Sequence, residues 1–423
     1  MSEGQTRPSV EASADGRANG DARSERNGLV MLCDVDLEAL DATRTHTIEV
    51  ARCFADAGLE VDLIARGPDP QIAGVRYHSA HGTEAQKVRR ILTVNLHTIG
   101  VLYKRRRTAW RLYVRHHWSN TPVLLAGRVL GYRVVTQVDD VPYGRSFEPD
   151  IAVAVDYVKR LTTVIMGRIA CGIVAVTSQI KGLLVEEFHV PPERVAVLPN
   201  GVDVDFFRPS PRAQAIERLG LEPGCRYAVF LGRFQPWVDF DTLLEGFAIV
   251  AARRSDARLI LVGDGFERER VERDTLRLGI ADSVLITGFI RERTRIRDYM
   301  CAGTVALAAH RREYVGHIGV SPTKLAEYLA MGRAVIAEDV PGLREVLEES
   351  GAGVVVPADP KAMAEAIESL LDPVRADELG VLGRRLAEER YSWRSVVERT
   401  LPLFQDGAQA AGRTAPAASH SSM

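Results

Sequence analysis

The stretch "GVSPTKLAEYLAMG", residues 319–332, sets a Gly-flanked Ser-Pro-Thr-Lys turn directly before a helical pattern. Free backbone N–H groups and the positive end of a helix dipole favour negative charge, and Lys324 adds a point charge. Ser321, Pro322, Thr323 and Lys324 are therefore a candidate anion seat, although the same residues also suit an ordinary capped surface turn. Three further apolar runs end in glycine loops. "FLGRF" carries Gly232 and Arg233, "VGDG" carries Gly263, Asp264 and Gly265, and "TGF" carries Gly288 ahead of Phe289 and Ile290. Glycine at such a place admits positive φ or close approach of backbone to a ligand. Each loop alone reads as a tight turn; together with the 321–324 turn they are expected to face one rim.

Those loops need elements to hold them. With 423 residues and 46% hydrophobic content the chain can bury two cores, so two domains are the default. Formal charge is -2, from 54 basic and 56 acidic side chains, which gives no global pull toward nucleic acid. Cys33, Cys53, Cys171, Cys225 and Cys301 are scattered without C-x-x-C spacing, which suggests neither a disulfide framework nor a zinc site and fits a reducing cytoplasm. The aspartates of "VDD" and "VGDG" fall in separate halves and make no metal-ligand cluster, so no metal is expected. No apolar run approaches bilayer-spanning length. Residues 1–27 lack a signal core and read as a disordered tail, as do residues 407–423, rich in Ala, Gly and Ser.

"LVMLC" (29–33) reads as a buried strand; "HTIEVARCFADAG" puts Ile48, Ala51, Phe54 and Ala55 on one helical face and stops at Gly58; "EVDLIA" resumes strand character. This βαβ grammar continues through "RVVTQV" (133–138), "GIVAV" (172–176) and "RVAVLP" (194–199). After "NGVDVDFFRPS" it restarts with "YAVFLG" (227–232), "ARLILVGDG" (257–265), "SVLITGF" (283–289), "TVALAA" (304–309), "RAVIAE" (333–338) and "AGVVVP" (352–357). Strands apolar throughout and separated by helices imply parallel sheets covered on both faces. The expected fold is α/β, two Rossmann-like domains facing a cleft, with ligands at the carboxyl ends of the strands.

"FLGRFQPWVDFDTLLEGF", "LVGDGFERERVE", "TGFI", "SPTKLAEYLAMGRAVIAEDVPGLREVL" and "GVVVPADPKAMAEAI" together resemble the donor-binding half of the GT-B glycosyltransferases of family GT4. "VAVTSQIKGLLVEEFHVPPERVAVLPNGVDVDFFRP" resembles the end of their first domain, and "RTHTIEVARCFADAGLEVDLIARG" their opening β-loop-α unit. The resemblance covers roughly residues 28–406. It implies an acceptor-side domain (28–203), a nucleotide-sugar-binding domain (204–391) and a C-terminal helix (392–406) crossing back onto the first domain with Trp393 as anchor. It also implies retaining transfer of a sugar from a nucleotide diphosphate-sugar, UDP- or GDP-linked, to a glycan, lipid-linked or small-molecule acceptor. No cofactor beyond the donor is implied.

The leaving diphosphate needs charge stabilisation. Arg233, with planar paired donors, is the first candidate and Lys324 the second, helped by the amides of Thr323, Lys324 and Leu325. Glu327 matches the second Glu of the family's E-x7-E motif, which accepts from ribose hydroxyls, or else caps or pairs within its helix. Gly288, Phe289 and Ile290 are expected to give backbone contacts and an apolar wall to the base, with core packing the alternative for Phe289. The pattern is broken twice. Val238 and Asp239 stand where R-x-x-x-x-K-G has Lys and Gly, and Gly319 stands where the first Glu belongs, leaving Glu313 or His317 to reach in. In the opening loop "LDATRTHT" replaces paired glycines, so Arg44 or His46 approaches the phosphates or sugar, or the loop lies further away. Asp139 and Asp140 either orient the acceptor or form an Asx turn before Pro142.

Three readings follow: an active transferase, a catalytically impaired scaffold or partner motivated by Val238 and Gly319, and a hydrolase or epimerase consuming the nucleotide-sugar without an acceptor. "QKVRRILTVNLHTIGVLYKRRRTAW" joins apolar residues to a basic run. It either lies on the anionic inner face of a membrane or is a packed helix whose end is solvated by bases.

Overall fold

A computed structural model describes residues 26–39, 42–80, 87–142, 152–321 and 323–405. Pro322 and most of both tail segments fall outside these. The first half runs β1 (Gly28–Asp36), α1 (Ala42–Asp56), β2 (Glu60–Arg66), β3 (Val75–Ser79), α2 (Lys87–Arg105), β4 (Ala109–Arg115), α3 (Thr121–Val129), β5 (Arg133–Val138), α4 (Ala152–Ile169), β6 (Gly172–Ala175), α5 (Ser178–Glu186) and β7 (Val195–Val197). Its seven strands are all parallel, in the order β3-β2-β1-β4-β5-β6-β7.

Both faces of this sheet are covered, and the alternation along β1 shows how. Leu29 and Met31 pack with Val50 and Phe54 of α1 on one side. Val30 and Leu32 pack on the other with Val94 and Leu102 of α2, Val123 of α3, Met166 of α4 and Leu184 of α5. Right-handed crossovers require this division, because the chain moves outward from β1 to β2 and then reverses past β1 to β4.

The sequence expectation omits two strands. β3 is an edge strand whose Arg76 and His78 pair with the buried Asp62 of β2, and β4 is interrupted by Arg111, stacked 4.0 Å over Trp110, and by Arg115. Charged residues whose partners lie far away in the chain hide both strands from an apolar-run reading.

The second half runs α6 (Arg212–Leu219), β8 (Arg226–Leu231), α7 (Phe240–Arg253), β9 (Ala257–Val262), α8 (Arg268–Arg277), β10 (Val284–Ile286), α9 (Arg293–Ala302), β11 (Val305–Ala308), α10 (Arg312–Val315), α11 (Thr323–Ala330), β12 (Ala334–Glu338), α12 (Leu343–Ser350), β13 (Gly353–Val356), α13 (Pro360–Leu370) and α14 (Pro373–Leu386). Six parallel strands order as β10-β9-β8-β11-β12-β13. α15 (Trp393–Thr400) follows and returns to the first sheet, where Trp393, Val396 and Phe404 share a core with Leu29 and Phe54.

Contacts between the halves gather on the loop that precedes α11. Thr177 Oγ1 donates to the carbonyl of Ile318 at 2.6 Å, and the Asn200 side chain donates to the carbonyl of Ser321 at 3.0 Å. Gln179 of α5 donates to Glu345 of α12 at 2.7 Å.

Candidate functional site

A cavity of about 910 Å³ opens between the two sheets. Its second-half wall is built from the carboxyl ends of β8 and β9, the loop between β10 and α9, and the first turn of α11. Its first-half wall is the start of α1, with residues 201–203 and Trp393 below. Parallel strands bring every βα loop to one edge, so these remote segments meet.

Gly232, Arg233, Gly263, Phe289, Ile290, Thr323, Lys324 and Glu327 all line this cavity. Arg233 is exposed within it, and neither Arg233 nor Lys324 pairs with a carboxylate among the described residues. Gly263 has φ +147° and bridges to Gly288; a Cβ there would sit 1.9 Å from the Gly232 carbonyl, so the two loops abut only because residue 263 has no side chain. Phe289 is 59% exposed, which makes it a wall of the cavity and not part of the core. Glu327 sits in the first turns of α11, where burial pushes its carboxyl up to about 7 against the opposing pull of Lys324 and Arg293.

Other expected residues lie elsewhere. Gly288, at φ +71°, backs the wall through its bridge and does not line the cavity. The Ser321 hydroxyl accepts from the Asn200 backbone N–H at 3.1 Å and is committed to the contact between the halves. Leu325 is 3% exposed in the core beneath α11, so only its backbone is in reach of a ligand. Pro322 lies outside the described residues.

On the first-half side Arg44 lines the cavity, anchored by its Nε donating 2.8 Å to the Leu37 carbonyl. His46, expected to reach the sugar, is corrected by its place: it is 3% exposed, one turn into α1, with its ring edge-on to Trp393 at 5.0 Å. Burial, and then the Arg115 guanidinium, hold its pKa low and the ring neutral. Asp139 is likewise outside the cavity, paired with Arg115 and accepting from Gln137 at 2.8 Å. Burial would raise its carboxyl, but Arg115 outweighs that and keeps it ionised. Asp140, next to it, is exposed and also off the cavity wall.

The two broken motif positions have structural accounts. Val238 is 4% exposed and packs in the second-half core. The cation nearest it, Arg311, reaches the Val238 carbonyl at 3.3 Å but is neutralised by Asp239 and Asp241. Gly319 has φ +66°, a backbone conformation that a side chain strains, and a Cβ there would lie 2.6 Å from Gln179 Oε1 of the first half and 3.1 Å from the Pro341 carbonyl. A Glu at this position would need both backbone strain and a shift of Gln179. Neither Glu313 nor His317 lines the cavity.

Arg293 and Arg291, both on the cavity wall, were not singled out from the sequence, and Arg293 is the better placed. It opens α9, lines the cavity, lies 4.6 Å over Phe206 and pairs with no carboxylate among the described residues. Its signal was present, five residues past Gly288, but its cation–π partners come from a distant loop. Among the described residues, no group of three or more His, Cys, Asp or Glu gathers as a metal ion would require.

Residues 43–206 match the family described as Glycosyltransferase Family 4, and residues 225–373 match Glycosyl transferases group 1. The chain belongs to the GT-B glycosyltransferases of family GT4. A D-inositol 3-phosphate glycosyltransferase of Thermobispora bispora is 32% identical over 249 residues, 56% of each chain. The chain thus spans about half the length of the curated relatives it first matches. A glycosyltransferase from Rickettsia africae superposes with a TM-score of 0.70 at 16% identity, over 91% of this chain and 99% of that one. An Anabaena protein crystallised with UDP and glucose superposes with a TM-score of 0.65 at 16% identity, over 88% and 98%. These superpositions bear out the two-domain α/β fold for this GT4 member.

Proposed function

We propose that this GT4 member transfers a sugar, with retention, from a nucleotide diphosphate-sugar to a glycan, lipid-linked or small-molecule acceptor. The carrying observation is that Arg233, Arg293 and Lys324 converge on one cavity without carboxylate partners among the described residues. The cavity wall carries Arg44, Arg233, Arg291, Arg293 and Lys324 against Asp203, Asp264 and Glu327, and an excess of positive charge in a partly enclosed site calls for an anionic ligand. UDP or GDP is the expected leaving group: Arg233 and Lys324 take its phosphates, Glu327 its ribose, and Phe289 and Ile290 flank its base. A relative's UDP and glucose complex supports this class of donor.

As the bond from the anomeric carbon to phosphate breaks, negative charge grows on the diphosphate, and Arg233 and Lys324 offset it. The acceptor oxygen attacks the same face of the sugar, and its proton passes to the departing phosphate, so neither His46 nor Asp139 is needed as a base. Residues 28–203 present the acceptor in this reading and 204–391 hold the donor.

Gly319 favours a second reading, an impaired partner protein, because the family's carboxylate is missing there and the left-handed backbone at that position is one a side chain strains. Calorimetry and thermal shift with UDP, GDP, ADP and dTDP separate the two. Binding of one nucleotide, lost in Arg233→Ala and Lys324→Ala, supports the transferase. Silence with all four overturns it. Nucleotide release from the cognate sugar without any acceptor would instead indicate a hydrolase or epimerase.

A further inference from the structure

α2, α3 and α4 lie side by side on one face of the first sheet, with Val94, Leu102, Val123, Leu124 and Met166 turned into the core. Their outer sides should be polar. Instead α2 presents Val88 (73% exposed), Leu92, Leu96 (69%) and Tyr103, spaced so that they share the face opposite the buried stripe. α3 adds Leu125 and Val129 (85%), and α4 adds Tyr157 (69%), Val158 and Leu161. An apolar surface of this extent on neighbouring helices marks an interaction site.

The charge on these helices selects the partner. They carry nine Lys and Arg residues and a single acid, Asp156, in a chain of net charge -2. Some of the bases are used internally: Arg105 pairs with Asp62 at 2.8 Å and Arg160 with Glu187 at 3.4 Å. Lys104, Arg128 and Arg107, just past α2, are exposed and pair with no carboxylate among the described residues. A two-fold dimer through this face would set one basic surface against another. No helix among the described residues is long and apolar enough to cross a membrane.

We infer that the outer face of α2, α3 and α4 docks on an anionic lipid bilayer, its apolar side chains entering the headgroup boundary and its bases meeting lipid phosphates. Each of the three helices follows a parallel strand and begins at the strand edge where the cavity opens. Docking therefore sets the cavity mouth near the membrane. That this is where an acceptor enters rests on the proposed transferase reading; the docking itself does not.

The test is co-sedimentation of the full chain with vesicles of phosphatidylcholine alone and of phosphatidylcholine mixed with phosphatidylglycerol, at low and high salt. Binding to the mixed vesicles only, weakened by salt, is expected. Lys104→Gln with Arg107→Gln should lower partitioning roughly 25-fold, from about fivefold per charge. Leu92→Ser with Leu96→Ser should lower it at least tenfold, roughly the transfer loss of two half-buried leucines. Melting temperatures of both double variants should match the parent, since all four side chains are exposed. No binding to anionic vesicles, binding unchanged in both variants, or a solution dimer that Leu96→Ser dissociates would each overturn the inference.

Discussion

Arg233, Arg293 and Lys324 share a property that a list of motifs does not express: none of them forms an ion pair with a carboxylate among the described residues, whereas Arg311 nearby is paired with Asp239 and Asp241. A charge-assisted hydrogen bond contributes about 1.5–3 kcal/mol, so Arg233→Ala should weaken nucleoside diphosphate binding about 10- to 150-fold by calorimetry. Arg293→Ala should weaken it in the same direction. Glu338 makes a different point. It is 1% exposed at the end of β12, one oxygen accepts from the His310 N–H at 2.8 Å, and burial raises its pKa to about 9. The folded state therefore holds a proton that the unfolded state releases near 4.5. Its contribution to stability is complete below about 4.5 and is lost as pH rises toward about 9. Melting curves should show parent stability falling across that window, and Glu338→Gln should flatten the fall.

At the scale of elements, the turn into α11 is held from both sides. Asn200 binds Ser321, Thr177 binds the carbonyl of Ile318, and Gln179 closes on Gly319. The turn proposed as the anion seat is thus positioned by the first half of the chain as much as by its own helix. Gly319→Ala should cost about 1–2 kcal/mol from the left-handed backbone alone, read as a lower urea midpoint. Gly319→Glu shares that strain and the Cβ contact with Gln179 and adds a longer side chain at the contact between the halves, so it should cost at least as much by the same measurement.

For the whole molecule, Trp393 joins the site to the fold. It sits at the base of the cavity, faces His46 edge-on, and packs in the core of the first sheet although it follows the second in the chain. Trp393→Ala should destabilise by about 3–5 kcal/mol in chemical denaturation. With the nucleotide that the calorimetric screen identifies, it should also reduce the thermal-shift stabilisation, which for a one-site ligand is expected to reach about 2.7 kcal/mol at a hundredfold excess over Kd.

Apolar runs and glycine-ended loops determined the α/β class and the side of the sheet on which a site must lie, because parallel strands buried on both faces leave that signature locally. Arg233 after a strand end and Lys324 at a helix start were singled out for the same reason, and Glu327 by resemblance to the family's motif; all three line the cavity. β4 was not legible, since Arg115 reads as polar until Asp139 is beside it. Nor was the burial of His46, which α15 completes from the far end of the chain, nor Arg293, whose aromatic support comes from residue 206. Pairing partners and burial depend on residues distant in the chain meeting, so the tertiary structure alone decided them.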